Sequence, residues 1–199
     1  MSNHLTEEEE EEEEEHQNQL AFGEHTDISQ QYRNDVITIR NNDANTTEFI
    51  LDYRDADNLS NLGWELLGRY IANNTHVREV DLQDCRITDA KMTLLFSRLR
   101  QSASLEIINF CHNSIGAEGV RSMLPFLENT PNLSDLYLND NRNIDTECFE
   151  MLMSALNGSS SMVELWFCEC GIEDISAMNT CTLPNLRIID LSLNDIGRD

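Results

Sequence analysis

Two short motifs contain the residue types that could do chemistry, Cys111-His112 and Cys168-Glu-Cys170. A cysteine nucleophile needs a histidine within hydrogen-bonding reach and an acid that orients it. Cys111 and His112 are adjacent in a predicted strand, where successive side chains point to opposite faces, so they are poorly placed for a catalytic dyad. Three of the other histidines lie in the acidic N-terminal segment: His4, His16 and His25. We therefore expect no enzyme activity and no catalytic residue.

Zinc binding is the second chemistry that these motifs suggest, because zinc prefers thiolate and imidazole ligands. Cys111 and Cys168 occupy equivalent positions in sequence units two apart, which separates them by roughly 10 Å at the spacing of neighbouring strands. Ligands of one zinc ion lie only about 2.0–2.3 Å from the metal. The sequence also has no phosphate-binding glycine loop of the G-x-x-x-x-G-K type. We expect no metal and no cofactor, and we interpret the six cysteines as reduced structural thiols.

The charge of the chain limits its possible partners. Its 199 residues include 37 acidic and 13 basic side chains, a net charge of −24, and Lys91 is the only lysine. A surface that binds nucleic acid or anionic lipid needs clustered Lys and Arg, so we predict neither partner. No apolar run approaches the roughly 20 residues that span a bilayer, and the N-terminus does not resemble a secretory signal. We expect a cytoplasmic or nuclear protein.

The acidic residues divide the chain into three predicted parts. Residues 1–30 carry 11 acids and no Lys or Arg, and nine of those acids form the run Glu7 to Glu15. Adjacent glutamates repel one another, so we predict that residues 1–30 are a disordered acidic tail. Residues 31–48 are predicted to cap the domain, with a strand over Val36–Ile39. Residues 49–199 contain the repeated part of the sequence.

Five segments share the pattern L-x-x-L-x-L-x-x-(N/C)-x-I, in which the fourth and sixth positions are apolar. They begin at Val77, Leu105, Leu133, Met162 and Leu186, at separations of 28, 28, 29 and 24 residues. The alternation predicts a short strand whose leucines point inward. Asn or Cys at the ninth position turns the chain, and Asn there can bond backbone groups that the turn leaves unpaired.

The segments that follow the strands have apolar residues at helical spacing. After Ile87 these residues lie at offsets of 5, 7, 8 and 12, and the same offsets follow Ile144. This spacing gives each return helix one apolar face toward the sheet. The same offsets after Leu59 indicate a degenerate first repeat with a strand near Phe49–Tyr53. The fourth full unit, which starts at Met162, has only 24 residues, and we expect its return to be shorter and less helical.

These segments resemble the leucine-rich repeat family, specifically its ribonuclease-inhibitor-like subtype with a unit of about 28 residues. The resemblance covers residues 49–199, about six repeats with the last one incomplete. It implies an α/β solenoid, a curved horseshoe with a parallel sheet on its concave face and helices on its convex face. It also implies a non-catalytic scaffold that binds a protein. Two alternatives follow from analogy of fold alone, a regulator of a small GTPase of the activating type and the substrate-recognition part of a ubiquitin ligase.

Strand alternation predicts which side chains face a protein partner. Tyr137 and Trp166 fall on adjacent strands about 5 Å apart, at the centre of the concave surface. Exposed aromatics with charged neighbours are typical of an interface hot spot, although the rings could also pack on each other or be covered by the N-terminal segment. The predicted partner-binding residues are Tyr137, Trp166, Glu79, Asp81, Asn109, Asp135, Asn139, Glu164 and Asp190. Their charge favours a protein partner with a basic rim around an apolar patch.

The sequence after the last motif ends at Asp199 without a return helix. A solenoid end needs a polar cap, because each repeat buries its apolar face on its neighbour. The inward face of the last repeat would then be open beside Leu186, Ile189 and Leu191. We expect a truncated or poorly capped C-terminal end, with self-association through it as a possible consequence.

Overall fold

A computed structural model describes residues 7–22 and 27–197, with side chains described from residue 11 onward. Six strands of three residues form one parallel sheet in chain order, β1 to β6. The strands are β1 Glu48–Ile50, β2 Glu79–Asp81, β3 Ile107–Asn109, β4 Asp135–Tyr137, β5 Glu164–Trp166 and β6 Ile188–Asp190. The helices are α1 Glu7–Phe22, α2 Gln30–Arg40, α3 Tyr53–Asn58, α4 Asn61–Asn73, α5 Asp89–Arg98, α6 Ala117–Glu128 and α7 Thr146–Leu156. This arrangement confirms the predicted α/β solenoid.

The strands register as the repeat pattern predicts. Val80, Ile108 and Leu136 pair in line across β2, β3 and β4, and each of these side chains is fully buried. The degenerate first repeat is also present, although its strand starts at Glu48, one residue before the predicted position. Phe49 there pairs with Val80, so Phe49 and Leu51 take the fourth and sixth positions of the motif.

Four return helices, α4 to α7, cover one side of the sheet. Ser60 starts α4 by accepting a hydrogen bond from the Gly63 amide at 3.1 Å, and Asp145 starts α7 by accepting one from the Cys148 amide at 3.0 Å. The α4 and α5 backbones approach so closely that a Cβ at Gly68 would lie 2.1 Å from the Leu95 carbonyl oxygen. The apolar faces of these helices and the inward strand residues form one continuous core.

The ninth position of the motif satisfies backbone groups inside the turn, as predicted. The Asn141 side chain is fully buried, and its amide donates to the carbonyls of Phe110 and Leu138 at 2.9 and 3.0 Å. Its carbonyl oxygen accepts from the Ile115 amide at 3.0 Å, one repeat earlier. Asn113 makes the equivalent contacts. Each asparagine therefore joins two adjacent repeats through hydrogen bonds to their buried backbone groups.

The N-terminal region differs from the sequence prediction of a capping strand. Val36 and Ile39 lie in α2, not in a strand, and both are buried together with Tyr32. Val36 lies four residues after Tyr32 and Ile39 three residues after Val36, a spacing that places the three side chains on one helical face. Ser29 begins the helix, because its hydroxyl accepts from the Tyr32 amide at 3.1 Å. The helix packs on α4 and covers the first repeat.

The predicted disorder of residues 1–30 also differs from the structure, in which Glu7–Phe22 is α1 and Gln30 begins α2. Helix α1 packs on α4 with Phe22 in the core, and the Tyr70 hydroxyl donates to the Asn18 side-chain oxygen at 2.5 Å. Glu14 forms ion pairs with Arg40 and Arg69. These ion pairs, together with that of Glu15 with Arg40, reduce the repulsion at the C-terminal end of the glutamate run. Residues 1–6 and 23–26 of the predicted tail lie outside the described residues.

The C-terminal end shows the predicted shorter return. A single turn of 3-10 helix, Ser176–Asn179, stands where the preceding repeat has the helix α7. Ile189 and Leu191 are only partly buried, whereas the equivalent Leu165 and Phe167 are fully buried. Leu193 is 74 % exposed. The last strand thus leaves an apolar edge accessible within the described residues.

Candidate functional site

The sheet face opposite the helices, which we call the concave face, presents two columns of side chains. The first column is Glu48, Glu79, Ile107, Asp135, Glu164 and Ile188, and the second is Ile50, Asp81, Asn109, Tyr137, Trp166 and Asp190. The strand register confirms the neighbours that the sequence predicted and extends each column by one residue of β1. All the predicted partner-binding residues but Asn139 belong to these columns, and Asn139 follows β4 by two residues.

Tyr137 and Trp166 lie side by side at the centre of the concave face. Their ring centroids are 6.0 Å apart with planes inclined by 33°, and both side chains are partly exposed. Both rings also bind Glu164: the Trp166 indole donates to its Oε2 at 3.0 Å, and the Tyr137 hydroxyl donates to the same oxygen at 3.3 Å. The sequence predicted the two rings as neighbours but not this shared carboxylate. The arrangement fixes a negative charge at the side of an accessible aromatic surface.

The acids of the concave face have no cationic partner among the described residues. Within residues 11–22 and 27–197, every described ion pair of Arg, Lys or His lies outside the two columns. The six carboxylates left without such a partner are Glu48, Glu79, Asp81, Asp135, Glu164 and Asp190. Partial burial, and then repulsion from Glu48 and Asp81, raises the pKa of Glu79. Partial burial raises the pKa of Asp135 as well, with repulsion from Glu164 and Glu106 acting in the same direction.

The environment of Tyr137 reflects the same negative field. Burial, followed by the charges of Asp135 and Glu164, raises the pKa of the Tyr137 phenol to about 12. The phenol therefore stays protonated at neutral pH and remains a hydrogen-bond donor to Glu164. The ring pair can present apolar surface, one fixed carboxylate and a negative potential, a combination that suits a positively charged or aromatic-binding partner surface.

Four of the predicted binding residues also accept hydrogen bonds from backbone amides. In each of Asp81, Asn109 and Asp190 the side-chain Oδ1 accepts a hydrogen bond, at 2.9 Å, from the amide two residues later. The Asn139 side-chain oxygen accepts from the Cys168 amide at 2.7 Å. These bonds shape the turns that follow the strands. The recurrence of Asp or Asn at one motif position could have indicated this role, but the sequence interpretation assigned those residues to binding alone.

The cysteine and histidine motifs have surroundings unlike those of a nucleophile. Burial raises the thiol pKa of Cys111 to about 11 and that of Cys170 to about 12, which keeps both protonated. The His112 imidazole contacts Asp140 at 3.2 Å, on the loop side of the sheet. Among the residues that the structure describes, no three His, Cys, Asp or Glu side chains are grouped closely enough to hold a metal ion.

The described helices include none long and apolar enough to cross a membrane.

Solved structures share the fold, among them a tropomodulin domain and a leiomodin-1 site. The tropomodulin C-terminal domain from Caenorhabditis elegans matches with a TM-score of 0.56 and 16 % identity, over 74 % of this chain and 87 % of that one. The second actin-binding site of leiomodin-1 matches with a TM-score of 0.59 and 16 % identity, over 73 % of this chain and 81 % of that one.

No curated protein sequence matches the chain significantly. A family model described as leucine-rich repeat matches residues 73–90 and 182–199. These two segments include β2 and β6 with the turns that follow them. The ribonuclease-inhibitor-like subtype stays a prediction. The matched segments, the regular parallel strands and the asparagine-bonded turns together show that this chain contains leucine-rich repeats arranged as an α/β solenoid.

Proposed function

We propose that the chain is a non-catalytic scaffold whose concave face binds a protein partner. The partly exposed Tyr137–Trp166 pair carries this proposal, since it lies at the centre of a six-stranded face among unpaired acids. Large aromatics in such central positions provide most of the binding free energy in many interfaces.

The thiol environments support the absence of catalysis. A cysteine nucleophile acts as the thiolate, and burial here raises the pKa values of Cys85, Cys111, Cys148 and Cys170. The six cysteines are free. We place the protein in the cytoplasm or nucleus, where such thiols remain reduced.

GTPase activation and substrate recognition for a ubiquitin ligase remain alternatives that rest on analogy of fold.

The unpaired carboxylates support a partner with a basic rim around an apolar patch. A positive surface would be attracted to Glu79, Asp135 and Glu164 and would dock on the two rings. Its association rate should fall as the salt concentration rises, because exposed charges are screened over about 8 Å at physiological ionic strength. The fold likeness to an actin-binding site of leiomodin-1 makes actin the first named protein to test as this partner.

The test uses the full chain, a Tyr137→Ala/Trp166→Ala variant and a control variant, Leu20→Ala/Ile37→Ala. The control removes two exposed apolar side chains from α1 and α2, away from the concave face. Binding of purified actin, and of proteins captured on the wild-type chain and then purified, is measured by titration. We expect the concave variant to weaken binding of a true partner by about tenfold or more, and the control to change it less than about twofold. Equal affinity of both variants would contradict the proposal.

A further inference from the structure

Acidic residues of the concave face and those of the rest of the described surface differ in their ion-pair partners. Elsewhere, glutamates and aspartates meet arginines, as in the pairs of Arg121 with Glu118 and Glu147. On the concave face six carboxylates lie on five of the six strands without a described cationic partner. Like charges on the half-buried face of a sheet repel one another. Binding of a cation to this face should therefore lower its electrostatic free energy.

The aromatic pair selects the kind of cation. A planar guanidinium stacks on aromatic rings and also makes two parallel hydrogen bonds to a carboxylate, which an ammonium cannot do. The ring planes of Tyr137 and Trp166 are inclined by 33° with centroids 6.0 Å apart, and we call this partly exposed pair the aromatic platform. Asp135 pairs directly with Glu164 across β4 and β5. A guanidinium on the platform would therefore lie beside two carboxylates whose strands are about 5 Å apart.

A second acidic position lies at a defined distance from the platform. Glu79 and Asp81 are on β2, two strands from Tyr137 on β4. Two strand spacings amount to roughly 10 Å. A segment in the extended polyproline II conformation rises about 3.1 Å per residue with three residues per turn, so its residues i and i+3 lie about 9 Å apart on the same side. One segment running across the strands could thus place two cationic side chains on the two positions.

We propose that the concave face binds an extended protein segment with two arginines three residues apart. One guanidinium stacks on Tyr137 and Trp166 beside Glu164 and Asp135, and the other binds Glu79 and Asp81. This inference rests on the proposed function and names the chemistry of the partner at that same surface.

The test measures peptide binding to the full chain at low salt. The probe is a peptide with two arginines separated by two serines, and its partner peptide has citrulline in place of both arginines, which removes the charge but keeps the shape. Trp166 is partly exposed while Trp64, the only other tryptophan, is 1 % exposed, so a change in indole emission reports the platform. We expect the arginine peptide to bind at least about tenfold more tightly than the citrulline peptide.

Two charge-matched variants separate specific from general attraction. Asp135→Asn/Glu164→Gln removes two charges from the concave face, and Glu128→Gln/Glu150→Gln removes two exposed charges from α6 and α7. We expect the first to weaken arginine-peptide binding about tenfold and the second to change it less than about twofold. Equal losses in both variants would overturn the inference, because they would mean that the peptide responds only to net charge.

The failure of this inference can be told from the failure of the proposed function. If the two peptides bind alike while a protein partner still loses affinity on Tyr137→Ala/Trp166→Ala, only the arginine chemistry is overturned. If a protein partner is indifferent to that double substitution, the concave face is not its binding surface, whatever the peptide does.

Discussion

The two sides of the sheet each carry an aromatic pair in the same two repeats, and the pairs differ in their surroundings. On the inner side, Phe149 and Phe167 meet edge to face at 5.4 Å and are fully buried. On the concave face, Tyr137 and Trp166 are partly exposed and donate hydrogen bonds to Glu164. Trp166 and Phe167 are neighbours in the chain, and strand alternation alone sends them to opposite faces.

The difference separates stability from recognition. The inner pair replaces water contact with close packing, which lowers the free energy of the folded state. The outer pair keeps a solvent-accessible surface beside unpaired charges, an arrangement that contributes little to folding. The molecule should therefore tolerate changes on the outer side of the sheet that it cannot tolerate one residue away on the inner side.

The largest expected effect compares Phe167→Ala with Trp166→Ala. Loss of the Phe167 ring leaves a cavity in a closed core, and we expect the free energy of unfolding to fall by about 3–5 kcal/mol. Trp166→Ala should lower it by less than about 1.5 kcal/mol, because that ring is already partly hydrated and packs mainly on Tyr137. Urea unfolding followed by circular dichroism measures both values. Similar losses in the two variants would mean that the outer pair is part of the stabilising core.

A second comparison concerns two asparagines two residues apart. Asn141→Ala removes a fully buried side-chain amide that makes hydrogen bonds to the backbone and leaves the Ile115 amide without its partner, so we expect a loss of about 3 kcal/mol. The Phe110 carbonyl keeps its second hydrogen bond, from Asn113, and the Leu138 carbonyl keeps the one from the Cys170 thiol. Asn139→Ala removes one bond to the Cys168 amide at the partly exposed surface and should cost about 1 kcal/mol. Equal losses for the two variants in the same unfolding assay would contradict the distinction between the buried hydrogen bonds of Asn141 and the partly exposed one of Asn139.

The carboxylates of the concave face should oppose folding, whereas the core residues on the other side of the sheet stabilise it. The raised pKa of Asp135 means that its native carboxyl binds a proton more readily than the unfolded one. The contribution of this group is therefore most favourable below the ordinary Asp pKa, near 4, and is lost as the pH rises through the raised native value. We expect Asp135→Asn to add about 0.5 kcal/mol at pH 7, a small gain because the side chain is partly exposed. The gain should disappear below about pH 4.

Denaturant unfolding of Asp135→Asn at several pH values, with Glu128→Gln on α6 as the control, measures this effect. The control side chain is exposed and carries the same charge. A gain that persists at low pH would indicate that removal of charge repulsion is not its cause.

The smallest expected effect concerns the edge of the sheet at β6. Leu193 is 74 % exposed beside the partly buried Ile189 and Leu191, and we propose that this apolar edge pairs weakly between copies of the chain. Leu193→Lys should shift sedimentation toward the monomer at high concentration, while Ile37→Lys, which changes an exposed apolar residue on α2, should not. A strictly monomeric wild-type chain under the same conditions would end this proposal.

The repeated part of the fold could be predicted from the sequence because its signal is local and periodic. The leucine positions and the ninth-position Asn and Cys established the strands, the turns and the adjacency of Tyr137 and Trp166. The ion pairs and buried contacts of α1 were out of reach, since they join residues far apart in the chain. Helix α2 was within reach, because Tyr32, Val36 and Ile39 have helical spacing. The position of the Glu164 carboxylate depends on side-chain conformations that no motif specifies.

Hydroxyl-radical footprinting of the full chain, free and bound to its protein partner, tests the central claim most directly. The method reports the solvent exposure of individual side chains, and Tyr53, which is 39 % exposed outside the two columns, provides an internal reference. If the concave face is the binding surface, oxidation of Tyr137 and Trp166 should fall several-fold in the complex while that of Tyr53 stays constant. Unchanged oxidation of Tyr137 and Trp166 in a saturated complex would contradict the account.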